Sequence, residues 1–162
     1  MDSENAKNII VETTKDLLNR VGFKGEVKII ESNPEFFTVS VESDEDLSVL
    51  IGKNGQNLNA FDHIARLISA HKLMDTEYKP IYNFVVDVND YRKSKTNYLV
   101  EVAQNVAKRV IETGKAEALN PMSSYERRLV HTELASLKEI QTESIGQEPR
   151  RRVVIKPQLE IG

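Results

Sequence analysis

Apolar positions along the first half of the chain change period several times. Ile9, Ile10, Thr13, Leu17 and Leu18 recur at helical spacing, and Gly22 follows as a left-handed stop. Residues 25–31 and 36–42 carry strand patterning. In the second of these, Phe37, Val39 and Val41 alternate with Thr38 and Ser40, which predicts one buried face. Ser32-Asn33-Pro34 between them is turn chemistry, so the two runs read as a hairpin. A short apolar piece from Leu47 to Ile51 leads into Gly52-Lys53-Asn54-Gly55. Beyond it, Leu58, Phe61, Ile64, Ala65 and Ile68 mark an amphipathic helix, and residues 81–88 read as a third strand.

The second half opens with the clearest helical stripe in the chain: Leu99, Val102, Ala103, Val106, Ala107, Val110 and Ile111, closed by Gly114. After Pro121, Ser123 and Glu126 form an S-x-x-E capping box ahead of another helix with Val130, Leu134 and Leu137 on its apolar side. Residues 139–145 and 151–156 read as strands around the turn Gly146-Gln147-Glu148-Pro149. Asn89-Asp90-Tyr91 is too short for a flexible linker, so the halves are expected to sit against each other. The pattern predicts an α+β chain of two modules, residues 1–90 and 91–162, each a small sheet packed with helices.

Composition narrows the chemistry. The 162 residues include no cysteine, which excludes disulfides and thiolate metal sites. The first residues, Met1-Asp2-Ser3-Glu4-Asn5, are polar and acidic, unlike a signal or transit peptide, so a cytoplasmic location is expected, without membrane insertion. The net charge of −3 hides an asymmetry: residues 1–90 hold 9 Lys and Arg against 16 Asp and Glu, whereas residues 91–162 hold 13 against 9. A phosphate-binding surface needs a local positive patch rather than a basic whole, although ordinary charge scatter gives the same asymmetry.

Two motifs carry candidate chemistry. In Gly52-Lys53-Asn54-Gly55 the glycines allow a sharp turn and close approach of another backbone, the following helix directs its positive end at the loop, and Lys53 adds a charge. A bare GxxG also occurs in plain turns. Arg127 and His131, four apart, share one helix face and can hold a phosphate between a planar donor and a ring N–H. The stem of Arg127 is expected to pack while its guanidinium reaches out. The alternative is a surface arginine near a half-buried structural histidine. Arg150 and Arg152, on one face of the last strand, together with Arg92, Lys93 and Arg128, would extend a phosphate track, or equally serve as solvated edge charges. His63 and His71 read as helix-surface residues, and no metal-ligating or nucleophile motif appears.

The order helix, two strands, short helix, GxxG, long helix, third strand is that of a type II KH domain, and LIGKNGQNL resembles such domains closely. The segments around Tyr91-Arg92-Lys93, Asn120-Pro121-Met122, Tyr125 to His131 and Thr142 to Ile155 resemble the R-three-H domain. KH followed by R-three-H is similar to the bacterial Jag family, also called SpoIIIJ-associated or KhpB proteins, across roughly residues 25–157. The resemblance implies a non-catalytic protein that binds single-stranded RNA, with single-stranded DNA left open, and needs no cofactor. It further implies an RNA chaperone or post-transcriptional regulator linked to cell-wall growth and division, paired with a small single-KH protein. On that reading Gly52, Lys53, Asn54 and Gly55 clamp the backbone of unpaired nucleotides. Many members carry a further N-terminal Jag domain and a linker, and room for both is not expected within these 162 residues. Two rivals remain: a protein–protein adaptor with incidental nucleic-acid binding, which the acidic first half fits, and a nuclease using Arg127 and His131.

Overall fold

A computed structural model describes residues 2–33, 36–74 and 83–158. The chain divides into two compact units, Met1–Arg92 and Lys93–Gly162.

In the first unit the elements are α1 (Asp2–Arg20), β1 (Glu26–Asn33), β2 (Phe36–Glu42), α2 (Ser48–Ile51), a single 3-10 turn at Lys53–Gly55, α3 (Gln56–Met74) and β3 (Asn83–Val88). This is the order read from the sequence. The sheet runs β1-β2-β3, with β1 antiparallel and β3 parallel to β2. Strand β1 continues through Ser32 and Asn33, which the sequence had given to a turn; Pro34 lies outside the described residues, as do Ile81 and Tyr82 of the expected third strand. Val39, Val41, Val86 and Val88 are fully buried under Ile10, Leu18, Leu58 and Ala65. One expectation for α3 is corrected. Its core side is Leu58, Phe61, Asp62, Ala65, Ser69 and Leu73, while Ile64 is 45% exposed on the opposite side. A carboxylate occupies a core position because it has a backbone donor to satisfy there, described below.

The second unit contains α4 (Tyr91–Thr113), whose first turn holds the boundary between the units, then β4 (Glu117–Ala118), α5 (Ser124–Leu134), β5 (Ile140–Ile145) and β6 (Arg152–Pro157). Its antiparallel sheet runs β4-β6-β5. Ala103, Val106, Ala107 and Val110 of α4 meet Val130 and Leu134 of α5 and Val153 and Ile155 of β6 in a separate core. The capping box forms as the sequence predicts: Ser123 Oγ accepts from Glu126 N at 3.3 Å, and Glu126 Oε2 accepts from Ser123 N at 2.7 Å. Only Arg152 of the arginine run lies within β6; Arg150 and Arg151 belong to the preceding turn, where Arg150 N donates to Gln147 O. Arg150 therefore does not share with Arg152 the strand face that the alternation predicts.

Candidate nucleic-acid interface

The Gly52–Gly55 loop is built by contacts that exclude side chains at both glycines. Gly52 and Gly55 have φ of 70° and 80°. A Cβ on Gly52 would fall 2.6 Å from Asn57 Cγ, and one on Gly55 2.9 Å from Tyr91 Cε1. Asn57 is fixed in turn by its Nδ2 donating to Val49 O at 2.8 Å, which ties the start of α3 to α2. Asn54 adopts the left-handed conformation, φ 55° and ψ 22°, that Asn tolerates better than most residues. Lys53 and Asn54 are exposed at the tip. The acidic stretch before the loop is turned to local use: Asp46 accepts from Ser48 N at 2.9 Å and from the Ser48 hydroxyl, which holds its carboxyl below the usual range, and Glu45 accepts from Lys24 N.

Beyond the loop, Arg92 is half-buried rather than free. Its Nε donates to Val86 O at 3.1 Å and its Nη1 to Asn59 Oδ1 at 3.0 Å. Asp62 Oδ1 accepts from Val86 N at 2.8 Å, which is the backbone donor that brings a carboxylate into the core side of α3. Sequence reasoning missed Asn59 and Asp62. The available signal was Asp62 itself, a carboxylate at a stripe position between Phe61 and Ala65.

In the second unit the Arg127 and His131 pair is placed otherwise than expected. Arg127 is buried, 6% exposed; Nη1 donates to Met122 O and Nη2 pairs with Glu148 Oε1, both at 2.8 Å. The guanidinium thus clamps the entry of α5 to the β5–β6 turn instead of reaching outward. A buried guanidinium takes this position because fixed acceptors replace its hydration. His131 is half-buried; Nδ1 lies 2.6 Å from Thr142 Oγ1 and Nε2 lies 2.8 Å from Ser144 Oγ, so both ring nitrogens are engaged by alternate residues of β5. Arg128, Lys93 and Arg150 are exposed, and Arg152 is half-buried with Nε donating to Arg150 O at 3.4 Å. Met122 N donates to Arg151 O at 3.2 Å, so the arginine-bearing turn lies beside the approach to α5. Lys95 pairs with Glu126 at 2.8 Å. Burial raises the Glu126 pKa, but hydrogen bonds from Lys95 and Ser123 outweigh it and hold the carboxyl below its ordinary range. Among the described residues, no group of three or more His, Asp or Glu could hold a metal ion, and no helix is long and apolar enough to cross a membrane.

A profile of the R-three-H domain matches residues 97–157, which defines the second unit as a domain of that class. Proteins named RNA-binding protein KhpB are similar over about two thirds of the chain. That of Lactiplantibacillus plantarum is 39% identical over 107 residues, 66% of this chain and 32% of its own length. That of Bacillus subtilis is 35% identical over 113 residues, 68% and 52%, and that of Clostridium symbiosum 33% over 111 residues, 68% and 48%. The chain belongs to the Jag, or KhpB, family. It spans about a third to a half of the length of these relatives.

Proposed function

We propose that this chain is a non-catalytic cytoplasmic protein that binds single-stranded RNA, with residues 1–90 acting as a KH module and residues 91–162 as an R-three-H module. The observation that carries the reading is the Gly52–Gly55 loop: an exposed turn whose glycines cannot bear side chains, with Lys53 at its tip and the N-terminus of the 19-residue helix α3 behind it. The names of the similar proteins support RNA as the ligand. In the second module the exposed cations Lys93, Arg128 and Arg150, with Arg152, are the phosphate contacts, and Arg127 and His131 shape the surface that presents them. A role as RNA chaperone or post-transcriptional regulator of cell-wall growth and division belongs to the same reading.

Pairing with a small single-KH protein has a surface to use. Ile64, Leu67 and Met74 are 45, 57 and 75% exposed and, with His71, recur at three- and four-residue spacing along the outer side of α3.

The test is Lys53→Asp combined with Asn54→Asp, which sets two carboxylates where the phosphate would lie. Anisotropy titrations with a short single-stranded RNA are expected to weaken while circular dichroism is unchanged. Unchanged affinity in the folded double variant removes the loop from the interface.

A further inference from the structure

We propose that Tyr98 and Tyr125, exposed near the starts of α4 and α5, form a platform on which unpaired bases of the bound RNA stack. The inference rests on the RNA-binding reading above and adds base stacking, without sequence preference, to the phosphate contacts of the second unit.

Tyr98 and Tyr125 are 68 and 70% exposed, and neither ring belongs to the core of the unit. The other large hydrophobic side chains exposed there, Ile111 and Ile145, are less so, at 44 and 40%. Ile111 lies thirteen residues beyond Tyr98 on α4, about 20 Å along the axis, so it does not extend the tyrosine surface. Single exposed hydrophobic residues are ordinary, but these two tyrosines are not scattered. Lys95 Nζ meets Glu126 Oε1 at 2.8 Å, which fixes the start of α4 against the start of α5. Tyr98 follows Lys95 by three residues, one turn along α4, and Tyr125 immediately precedes Glu126 on α5. The two rings are thus carried next to the two ends of one ion pair.

The charge around Tyr125 suits a phosphate strand. Arg128 is exposed and follows Tyr125 by three residues, which makes the two neighbours on the helix surface. Arg150 and Arg151 are exposed in the β5–β6 turn, and Met122 N donating to Arg151 O at 3.2 Å sets that turn beside the approach to α5. The carboxylate that follows Tyr125 is already engaged: Glu126 accepts from Ser123 N and Ser123 Oγ, each at 2.7 Å, and pairs with Lys95. Glu101, exposed one turn beyond Tyr98, sets the acidic end of the surface on α4.

A phenol ring offers a flat apolar face and a hydroxyl that stays in water. Every base has a matching face, so stacking on such rings tolerates any sequence, while the neighbouring cations follow the backbone. An aliphatic docking surface for a protein would need continuous apolar area, which these two rings, set among charges, do not supply.

The test uses the full chain with a uridine decamer, an adenosine decamer and an abasic decamer that carries the same phosphates without bases. Tyr98→Ala and Tyr125→Ala are each expected to weaken binding of both base-bearing decamers by roughly tenfold. Neither change is expected to alter affinity for the abasic strand or the melting temperature, and Tyr125→Phe is expected to keep full affinity. The chain has five tyrosines and no tryptophan, so tyrosine emission reports on the rings directly. Emission is expected to fall on adding the uridine decamer but not the abasic one, and to fall less in each alanine variant. Unchanged affinity for both base-bearing decamers in the Tyr98→Ala, Tyr125→Ala double variant overturns the platform and leaves RNA binding standing. A loss of equal size on the abasic strand does the same, because the rings then act on something other than bases. Failure of the unaltered chain to bind either base-bearing decamer overturns the RNA reading itself, and this proposal with it.

Discussion

Arg127 and Glu148 meet at 2.8 Å with opposite exposures: 7% of the arginine side chain is accessible against 59% of the glutamate. The pair is an anchor seen from one side and a surface contact seen from the other. Arg127→Ala would leave Met122 O without its 2.8 Å donor and open a space under α5. The expected loss in unfolding free energy is roughly 2–3 kcal/mol. Glu148→Ala removes only the solvent-facing partner, and screening limits the loss to below about 1 kcal/mol. Urea unfolding of both variants checks the ranking; equal and small effects would mean that the guanidinium does not hold the turn.

His131 bridges α5 to β5 through Thr142 Oγ1 and Ser144 Oγ. His131→Ala is expected to remove two hydrogen bonds, each worth about 1 kcal/mol, and so to lower stability by roughly 1–3 kcal/mol. Thr142→Val should show part of that loss, and the two changes should be less than additive because they share one bond. Thermal melts on the two single variants and the double variant measure this coupling.

Glu126 links three groups at the start of α5: Ser123 N, Ser123 Oγ and Lys95. Its carboxyl is held below the ordinary range in the folded chain, burial opposing this and the Lys95 and Ser123 hydrogen bonds prevailing. A folded-state pKa below the unfolded value, about 4.3, gives stability that is fully present above that value and is lost as pH falls through the folded pKa. The midpoint of thermal unfolding is therefore expected to drop on acidification below about pH 4.3, and to drop less in Glu126→Gln. An identical pH profile in that variant would mean that the cap carboxylate contributes nothing to acid sensitivity.

Most elements were legible because their signals are local. The Ser123–Glu126 box fixes where α5 begins, and the alternation of Phe37, Val39 and Val41 fixes which face of β2 is buried. The candidate site was legible only where backbone conformation demands a residue type, as at Gly52 and Gly55. The roles of Arg92 and Arg127 were not, because they depend on acceptors distant in sequence. Val86 O and Asn59 take up Arg92, and Glu148 takes up Arg127 from 21 residues away. Helical spacing located Arg127 beside the apolar stripe but carried no information on the turn that closes over it. Ile64 failed for the same reason: a hydrophobic residue three positions from Phe61 fits the stripe, yet the buried place belongs to Asp62, which answers the N–H of Val86.

Salt dependence reports how many phosphates the two modules contact. Exposed Lys53, Lys93, Arg128 and Arg150 provide four cations with accessible heads. About four contacts on a single strand give a slope near −3 in log affinity against log salt, at roughly −0.7 per contact. Titrations at several salt concentrations measure it. Lys53→Ala and Arg128→Ala should each reduce the slope by about 0.7, whereas a flat response in the unaltered chain would favour the adaptor reading.

Gly55 combines two constraints that a double-variant cycle can separate. Its φ of 80° disfavours any Cβ, and the Cβ would also meet the Tyr91 ring at 2.9 Å. Gly22 isolates the first constraint: its φ is 91°, and a Cβ there has nothing within 4 Å. Gly22→Ala is expected to lower stability by about 1–2 kcal/mol, the conformational penalty alone. Gly55→Ala should lower it by more, because the Tyr91 ring or the loop must move by a few tenths of an ångström in a packed surrounding. In a Tyr91→Ala background the contact is gone, so the same Gly55→Ala change should fall back to the Gly22→Ala value. Urea unfolding of the four forms of the cycle gives the coupling directly, and zero coupling would mean that Tyr91 does not shape the loop. RNA titrations on the same forms add the functional reading. If the loop is the phosphate contact, Gly55→Ala should weaken binding, and removal of Tyr91 should restore part of it by letting the backbone return to its place.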